Sequence, residues 1–277
     1  MLFQLIVLLC LLSPNADARS IRMLAFDWDG NLAHLPTNVV LFNKNNGAEK
    51  IIEGKDFARA RGHLEEFYPG FEIRINRDHP EKSSFRFTDS LDENHFLNSL
   101  KIAVADPNNI SWQQKQWPRF VQALNDPETQ PYVSIITSRG HSPEQVMEGL
   151  RFLRALGYLR VLPELVQIHT VSYMHGPHRA INNTAAKIAV IGEQLDWLSA
   201  QDEGRHFYEF SDDSSSYIEP IKTHIQRQKR RGRWSNVDIV IVQTLGESQD
   251  SWRIDRFGCT KELVSPGHSL TPLSASR

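Results

Sequence analysis

Met23-Leu24-Ala25-Phe26-Asp27-Trp28-Asp29-Gly30-Asn31-Leu32 is a short apolar run that ends on two carboxylates spaced i, i+2. Four apolar residues in a row predict a strand buried on both faces, the pattern of a parallel sheet. Asp27 then falls at the carboxyl end of that strand, where open α/β sheets bind ligands. Gly30 supplies the backbone freedom for a turn that aims both carboxylates at one small volume. Crowding them costs electrostatic energy unless a shared proton or a cation relieves it. Mg²⁺ suits such a pair, because it takes few protein carboxylates together with phosphate oxygens and water. The plain alternative is a solvated turn after a core strand.

Working outward, residues 133–136, 166–170, 206–210 and 237–242 have the same short apolar character, and helical periodicity lies between the later segments. Ser142 and Pro143 open one helix as N-cap and first residue, and Gly157 stops it. Residues 184–198 carry Ile188, Ile191, Leu195 and Leu198 on one face, and residues 216–228 form a third helix. Strand and helix in alternation predict an α/β fold with a doubly wound parallel sheet.

The first two of these strands are separated by about a hundred residues, far more than a βα connection needs. Within that stretch, residues 39–43 and 50–53 flank Asn45-Asn46-Gly47 and read as a β-hairpin. Residues 71–75 and 85–87 read as a further strand pair, and 96–105 and 112–124 as helices. The expectation is a cap or flap at residues 33–131, inserted into a domain spanning 19–257. From 258 to 277 the Ser, Pro and Gly content predicts a loose tail.

The N-terminus departs from an ordinary globular pattern. Residues 2–12 are apolar apart from Gln4, and Ala16-Asp17-Ala18 follows Ser13-Pro14-Asn15. This predicts a signal peptide at residues 1–18, cut after Ala18, and a secreted or periplasmic protein. The alternative is an anchor that stays attached. No later stretch approaches the roughly 20 apolar residues of a spanning helix. Cys10 would leave with the leader and Cys259 would remain alone, which excludes an internal disulfide. No Cys/His cluster has zinc spacing. A formal net charge of −2 over 277 residues gives no global pull toward nucleic acid or acidic membranes.

Two further strand ends and one helix start carry reactive or charged residues. Thr137-Ser138-Arg139-Gly140 closes the second strand, where a hydroxyl beside free N–H groups suits a phosphate oxygen. Lys187 lies near the start of a helix, a position unfavourable for a cation unless an anion is nearby. Asp212 and Asp213 follow the fourth strand and suggest a metal, although acidic helix starts are common. Taken singly, each also reads as a turn residue, an exposed lysine or a capping carboxylate. The first motif is not a calcium-binding EF-hand loop, because Leu32 stands where glycine is needed and Asn38 where a bidentate Glu is needed.

Together, and in this order, the four features resemble the haloacid dehalogenase-like superfamily over roughly residues 21–244. Asp27 and Asp29 match its first motif, Thr137 its second, Lys187 its third, and Asp212 with Asp213 its fourth. Asn31 stands where many members have Thr or Val. The stretch from Gly140 and the hairpin insertion look like a secreted bacterial branch, for which the resemblance names no substrate. It implies a Mg²⁺-dependent phosphatase acting on a small phosphorylated substrate. Asp27 would attack phosphorus and form an aspartyl-phosphate. Asp29 would protonate the leaving oxygen and then activate water. Asp27, Asp29 through its carbonyl, and Asp212 or Asp213 would hold the ion. Thr137, Ser138, Arg139 and Lys187 would bind the substrate.

Lys222, Arg227, Lys229, Arg230, Arg231 and Arg233 form a basic run that could meet nucleic-acid phosphates, though such runs are more often solvated helix ends. Asn109 and Asn182 begin glycosylation-type triplets. The rival functions are a binding protein that kept the fold without turnover, a nucleic-acid end-processing phosphatase, and a phosphotransferase.

Overall fold

In the computed structural model the described residues are 20–60, 62–76, 79–89, 93–126, 130–161, 166–173, 176–178, 182–201, 204–245 and 248–262. The expected signal peptide, residues 1–18, lies outside them. In chain order the described elements begin with β1 (Arg22–Phe26), β2 (Asn38–Asn43), β3 (Glu49–Glu53), α1 (Gly54–Ala60), α2 (Leu64–Phe67) and β4 (Phe71–Glu72). A 3₁₀ turn (Pro80–Lys82), α3 (Arg86–Asp89), α4 (His95–Ala103), α5 (Trp117–Asn125), β5 (Tyr132–Thr137), α6 (Pro143–Ala155) and β6 (Val166–Thr170) follow. The chain continues through α7 (Asn183–Ser199), β7 (His206–Asp212), α8 (Ser215–Arg230), β8 (Val237–Leu245), β9 (Ser248–Ile254) and β10 (Cys259–Glu262).

β1 lies inside a seven-stranded sheet of order β10-β9-β8-β7-β1-β5-β6. β6, β5, β1, β7 and β8 run parallel, while β9 and β10 are antiparallel. Both faces of the parallel part are covered, which is why its central strand β1 carries the unbroken apolar run at residues 23–26. Leu24 and Phe26 share one core with Val133, Ile135, Val240 and Val242, under Phe96, Phe120 and Leu150 of α4, α5 and α6. Met23 and Ala25 share the opposite core with Tyr208, Phe210 and Ile239, under Val190 of α7 and Ile221 of α8. From β1 the chain fills β5 and β6 on one side, then returns to β7 and β8 on the other. The order therefore reverses between β1 and β7, and such a switch point opens a crevice at the strands' carboxyl ends.

Local chemistry sets the helix starts. Ser142 Oγ accepts from Gln145 N at 3.2 Å while Gln145 Oε1 accepts from Ser142 N at 2.8 Å, a reciprocal cap ahead of Pro143. Gly157, at φ +85°, ends the same helix region in the left-handed conformation. Asn182 Oδ1 accepts from Ala185 N at 2.8 Å and starts α7.

The insertion after β1 contains a three-stranded antiparallel sheet, β3-β2-β4. Asn43 Oδ1 accepts from the backbone N–H of Asn45 and of Asn46, and Gly47 at φ +72° closes the hairpin turn. Val39, Leu41 and Ile52 form its own small core. One expectation changes here. Residues 85–87 do not form a strand: Ser84 folds back onto Arg74 through both N–H···O=C and N–H···Oγ bonds, and α3 begins at Arg86. The later part of the insertion packs onto the main sheet. Phe96, Leu100, Trp117 and Phe120 are fully or nearly fully buried in the core above Leu24 and Phe26.

The expected loose tail begins with structure. Cys259–Glu262 pairs antiparallel with β9 and forms the sheet edge, while residues 263–277 lie outside the described residues. Among the described residues no helix is long and apolar enough to cross a membrane.

A close helix contact over the β1 face is at Gly149 of α6. A Cβ there would lie 2.4 Å from Phe96 Cε1 and 2.6 Å from Leu100 Cδ1. Phe96 cannot yield easily, because Trp28 and His141 rings pack against it. An alanine would ordinarily improve a helix interior by about 1 kcal/mol. Here Gly149→Ala is expected to cost about 1–3 kcal/mol by overpacking, read as a lower urea midpoint.

Candidate metal centre

The end of β1 and the end of β7 are adjacent, tied by Asp27 N–H donating to Ser211 O at 2.8 Å. Asp27 follows β1 directly, and Asp212 is the last residue of β7. Each therefore projects from the carboxyl end of its strand at the switch point. Asp213 comes next in the chain. One carboxylate oxygen from each of Asp27, Asp212 and Asp213 lies within 4.8 Å of the others, a group that could hold a metal ion.

Gly30 makes this convergence possible. It sits at φ +72°, and a Cβ on it would fall 2.3 Å from Asp213 Oδ2. The turn after β1 thus leaves room for the Asp213 carboxylate only because no side chain fills it. Asn31 fastens the same region. Its Nδ2 is 3.2 Å from Asp27 O, 3.1 Å from Ser211 O and 2.9 Å from Ser211 Oγ, and its Oδ1 accepts from Thr244 Oγ1 at 3.1 Å. One buried amide so links the ends of β1, β7 and β8.

Lys187 enters from α7 and is fully buried. Its Nζ donates to Asp27 Oδ1 at 2.8 Å and to Asp212 Oδ2 at 2.6 Å, and it stands 4.2 Å from the centre of the Tyr217 ring. Its reading as an exposed helix lysine is excluded. Burial pulls the ammonium down, but Asp212 and then Asp27 hold it above the ordinary lysine value.

Three carboxylates against one ammonium leave the group short of two positive charges. The carboxylates register this deficit. Burial pushes Asp27 well above the usual range, opposed by Lys187 and reinforced by Asp212, Asp213 and Asp29. Burial and then Asp212 push Asp213 up to about 7. An all-oxygen donor set with uncompensated negative charge fits a hard divalent cation such as Mg²⁺.

The other sequence candidates fall around this group in different ways. Asp29 stands outside it, half-exposed, with both oxygens accepting from Arg139: Nε at 2.8 Å and Nη2 at 2.5 Å. Arg139 Nη2 also reaches Thr37 Oγ1 at 3.1 Å, and the guanidinium lies 5.4 Å from the centre of the Phe96 ring. Thr137 is buried at the end of β5, beside β1, and its Oγ1 accepts from Arg139 N–H. Ser138 Oγ donates to Tyr217 Oη at 3.1 Å. His141 is buried with both ring nitrogens unpartnered, and burial, then Arg139 and His95, push it down to about 2. It is therefore a neutral packing residue against Phe96 at ordinary pH.

The roles of Thr37 and Phe96 were not visible in the sequence, since each reaches Arg139 only through the fold of the insertion. Much of the basic run is absorbed by the structure. Lys222 pairs with Glu219 and covers Trp252, buried Lys229 donates to Val237 O, and Arg233 pairs with Asp196. Compared with known proteins, the chain matches no family model, no curated protein and no solved structure.

Proposed function

We propose that the chain is a Mg²⁺-dependent phosphate monoester hydrolase of the haloacid dehalogenase-like kind, working outside the cytoplasm. One observation carries the reading: Asp27, Asp212 and Asp213 converge at the β1/β7 switch point around a buried lysine. Neither a solvated turn nor a capping cluster would bury two carboxylates and a lysine together beside a third, partly buried one, because such burial costs several kcal/mol per ion without a functional or ionic offset.

Asp27, Asp212 and Asp213 would hold the ion, which when bound supplies positive charge to the phosphoryl oxygens. Asp27 Oδ2 is not held by Lys187, whose ammonium donates to Oδ1. In the first half-reaction an Asp27 oxygen forms a bond to phosphorus and the ester P–O bond breaks. The leaving oxygen takes a proton from Asp29 and departs as the alcohol. In the second, water attacks the same phosphorus, gives its proton to Asp29, and the P–O bond to Asp27 breaks to release phosphate. Lys187 keeps Asp27 oriented and offsets charge as the phosphoryl group arrives. The leader sequence supports export, with residues 1–18 removed.

The test is phosphate release from sugar phosphates, nucleotides, phosphopeptides and DNA 5′ and 3′ ends, with and without Mg²⁺. At least one class is expected to turn over in Mg²⁺ and to stop in EDTA. Equal release in EDTA would remove the metal from the proposal, and no release from any class would remove the hydrolase.

A further inference from the structure

Arg139 makes the most specific polar contact near the centre that the reaction as written leaves without a task. It is 5% exposed, and it grips Asp29 through two parallel N–H···O bonds. Side-chain contacts from the insertion also reach the guanidinium: Thr37 Oγ1 accepts from the same Nη2, and the guanidinium lies over the Phe96 ring. Both contacts come from segments between β1 and β5, so the insertion sets where Arg139 stands and Arg139 sets where Asp29 stands. The Arg139 backbone is placed independently, since its N–H donates to Thr137 Oγ1 at the end of β5.

With Oδ1 and Oδ2 both held by one guanidinium, the Asp29 carboxylate is fixed in place, so the group that gives its proton in the first half-reaction is positioned to take one back in the second. That is the requirement of the second half-reaction, in which water loses a proton as it attacks the aspartyl-phosphate. Half of the Asp29 side chain is open to solvent, so water has access to it.

We infer that Arg139 is a positioning residue for hydrolysis of the covalent intermediate: it fixes Asp29, under control of Thr37 and Phe96, as the base that activates water. The inference rests on the hydrolase reading and gives Arg139 a step-specific task in place of contact with the substrate. With a leaving group that departs without an acid, loss of Arg139 therefore slows the second half-reaction more than the first.

The experiment is rapid-quench kinetics with p-nitrophenyl phosphate in Mg²⁺ on the full chain, the Arg139→Met variant and the Arg139→Lys variant. Nitrophenol needs little help from an acid to leave, so the first half-reaction stays visible. Arg139→Met is expected to give a burst approaching one nitrophenol per chain, then a steady rate lower by about 10-fold or more. Phosphate should remain on the chain after acid quench and be released by hydroxylamine. Arg139→Lys, which restores charge without the fork, is expected to fall between. A parallel fall in burst and steady rate, with no trapped phosphate, overturns the inference and leaves Arg139 a structural or substrate-binding residue. Failure of the unaltered chain to release nitrophenol or any other leaving group overturns the hydrolase reading itself, and this inference with it.

Discussion

Asp27→Asn is expected to lower phosphate release from any productive monoester by about 10⁴-fold or more while the chain stays folded. The amide has the carboxylate's shape, and its oxygen can still accept from Lys187 Nζ, which now donates to Asp27 Oδ1. What is lost is the nucleophile and one anionic ligand. The stability side of the result is as diagnostic as the kinetic side. Burial raises Asp27 well above the usual carboxylate range, so an ionised Asp27 costs stability in the metal-free chain. The asparagine carries no such cost, and the metal-free variant should unfold at the same temperature as the parent or higher. Added Mg²⁺ should then raise its midpoint less than the parent's, since a weaker site stabilises less at equal ion concentration. Initial rates and thermal melts with a Mg²⁺ titration read both effects. Turnover within 10-fold of the parent would take Asp27 out of the nucleophile's place.

The sequence carried this site because its members stand at strand ends or near a helix start. Asp27, Asp212 and Lys187 are each displaced by a strand or helix whose apolar pattern is strong, so their approximate heights in the sheet follow from local signals. The side-to-side order was not legible. No local pattern states that β7 lies beside β1, or that the basic group between them arrives from α7. The Arg139–Asp29 pair spans 110 residues and depends on Thr37 and Phe96, which come from parts of the insertion read only as hairpin and helix.

The edge of the sheet shows the opposite limit. Ser248-Gln249-Asp250-Ser251-Trp252-Arg253-Ile254 has no apolar run, yet it forms β9 because β8 offers a full row of unpaired backbone groups. An antiparallel strand near an edge buries only part of one face, so polar composition does not count against it. The turn at residues 84–86 fails for a similar reason. Phe85 and Phe87 alternate as a strand would, but Ser84 satisfies its backbone on Arg74 and leaves the segment to enter α3.

Lys187→Met is the substitution expected to damage folding most. The side chain is matched in length and apolar, so little volume is lost, but the single ammonium among three carboxylates disappears. Stranding buried carboxylates costs about 3–5 kcal/mol. The loss should depend on pH in one direction. Asp27 and Asp213 are already raised in the folded chain, Asp213 to about 7, and removing the cation raises them further. A raised carboxyl binds more protons folded than unfolded between its unfolded and folded values, so stability falls as pH rises through that window. The variant should therefore be weakest near pH 8 and recover much of the difference near pH 5. Lys187 in the parent adds no slope of its own there, because its ammonium is held above the ordinary lysine value and stays charged throughout. His141, depressed to about 2, gives a slope of opposite sign below its unfolded value, but it does so in both chains and cancels in the comparison. Mg²⁺ at pH 8 should restore part of the lost stability by replacing the missing positive charge at the same carboxylates. Urea unfolding of parent and variant at pH 5 and pH 8, each with and without Mg²⁺, measures every part of this. A loss that is the same at both pH values would mean that Lys187 acts through packing against Tyr217 and Phe210, and that the acidic group does not share its charge.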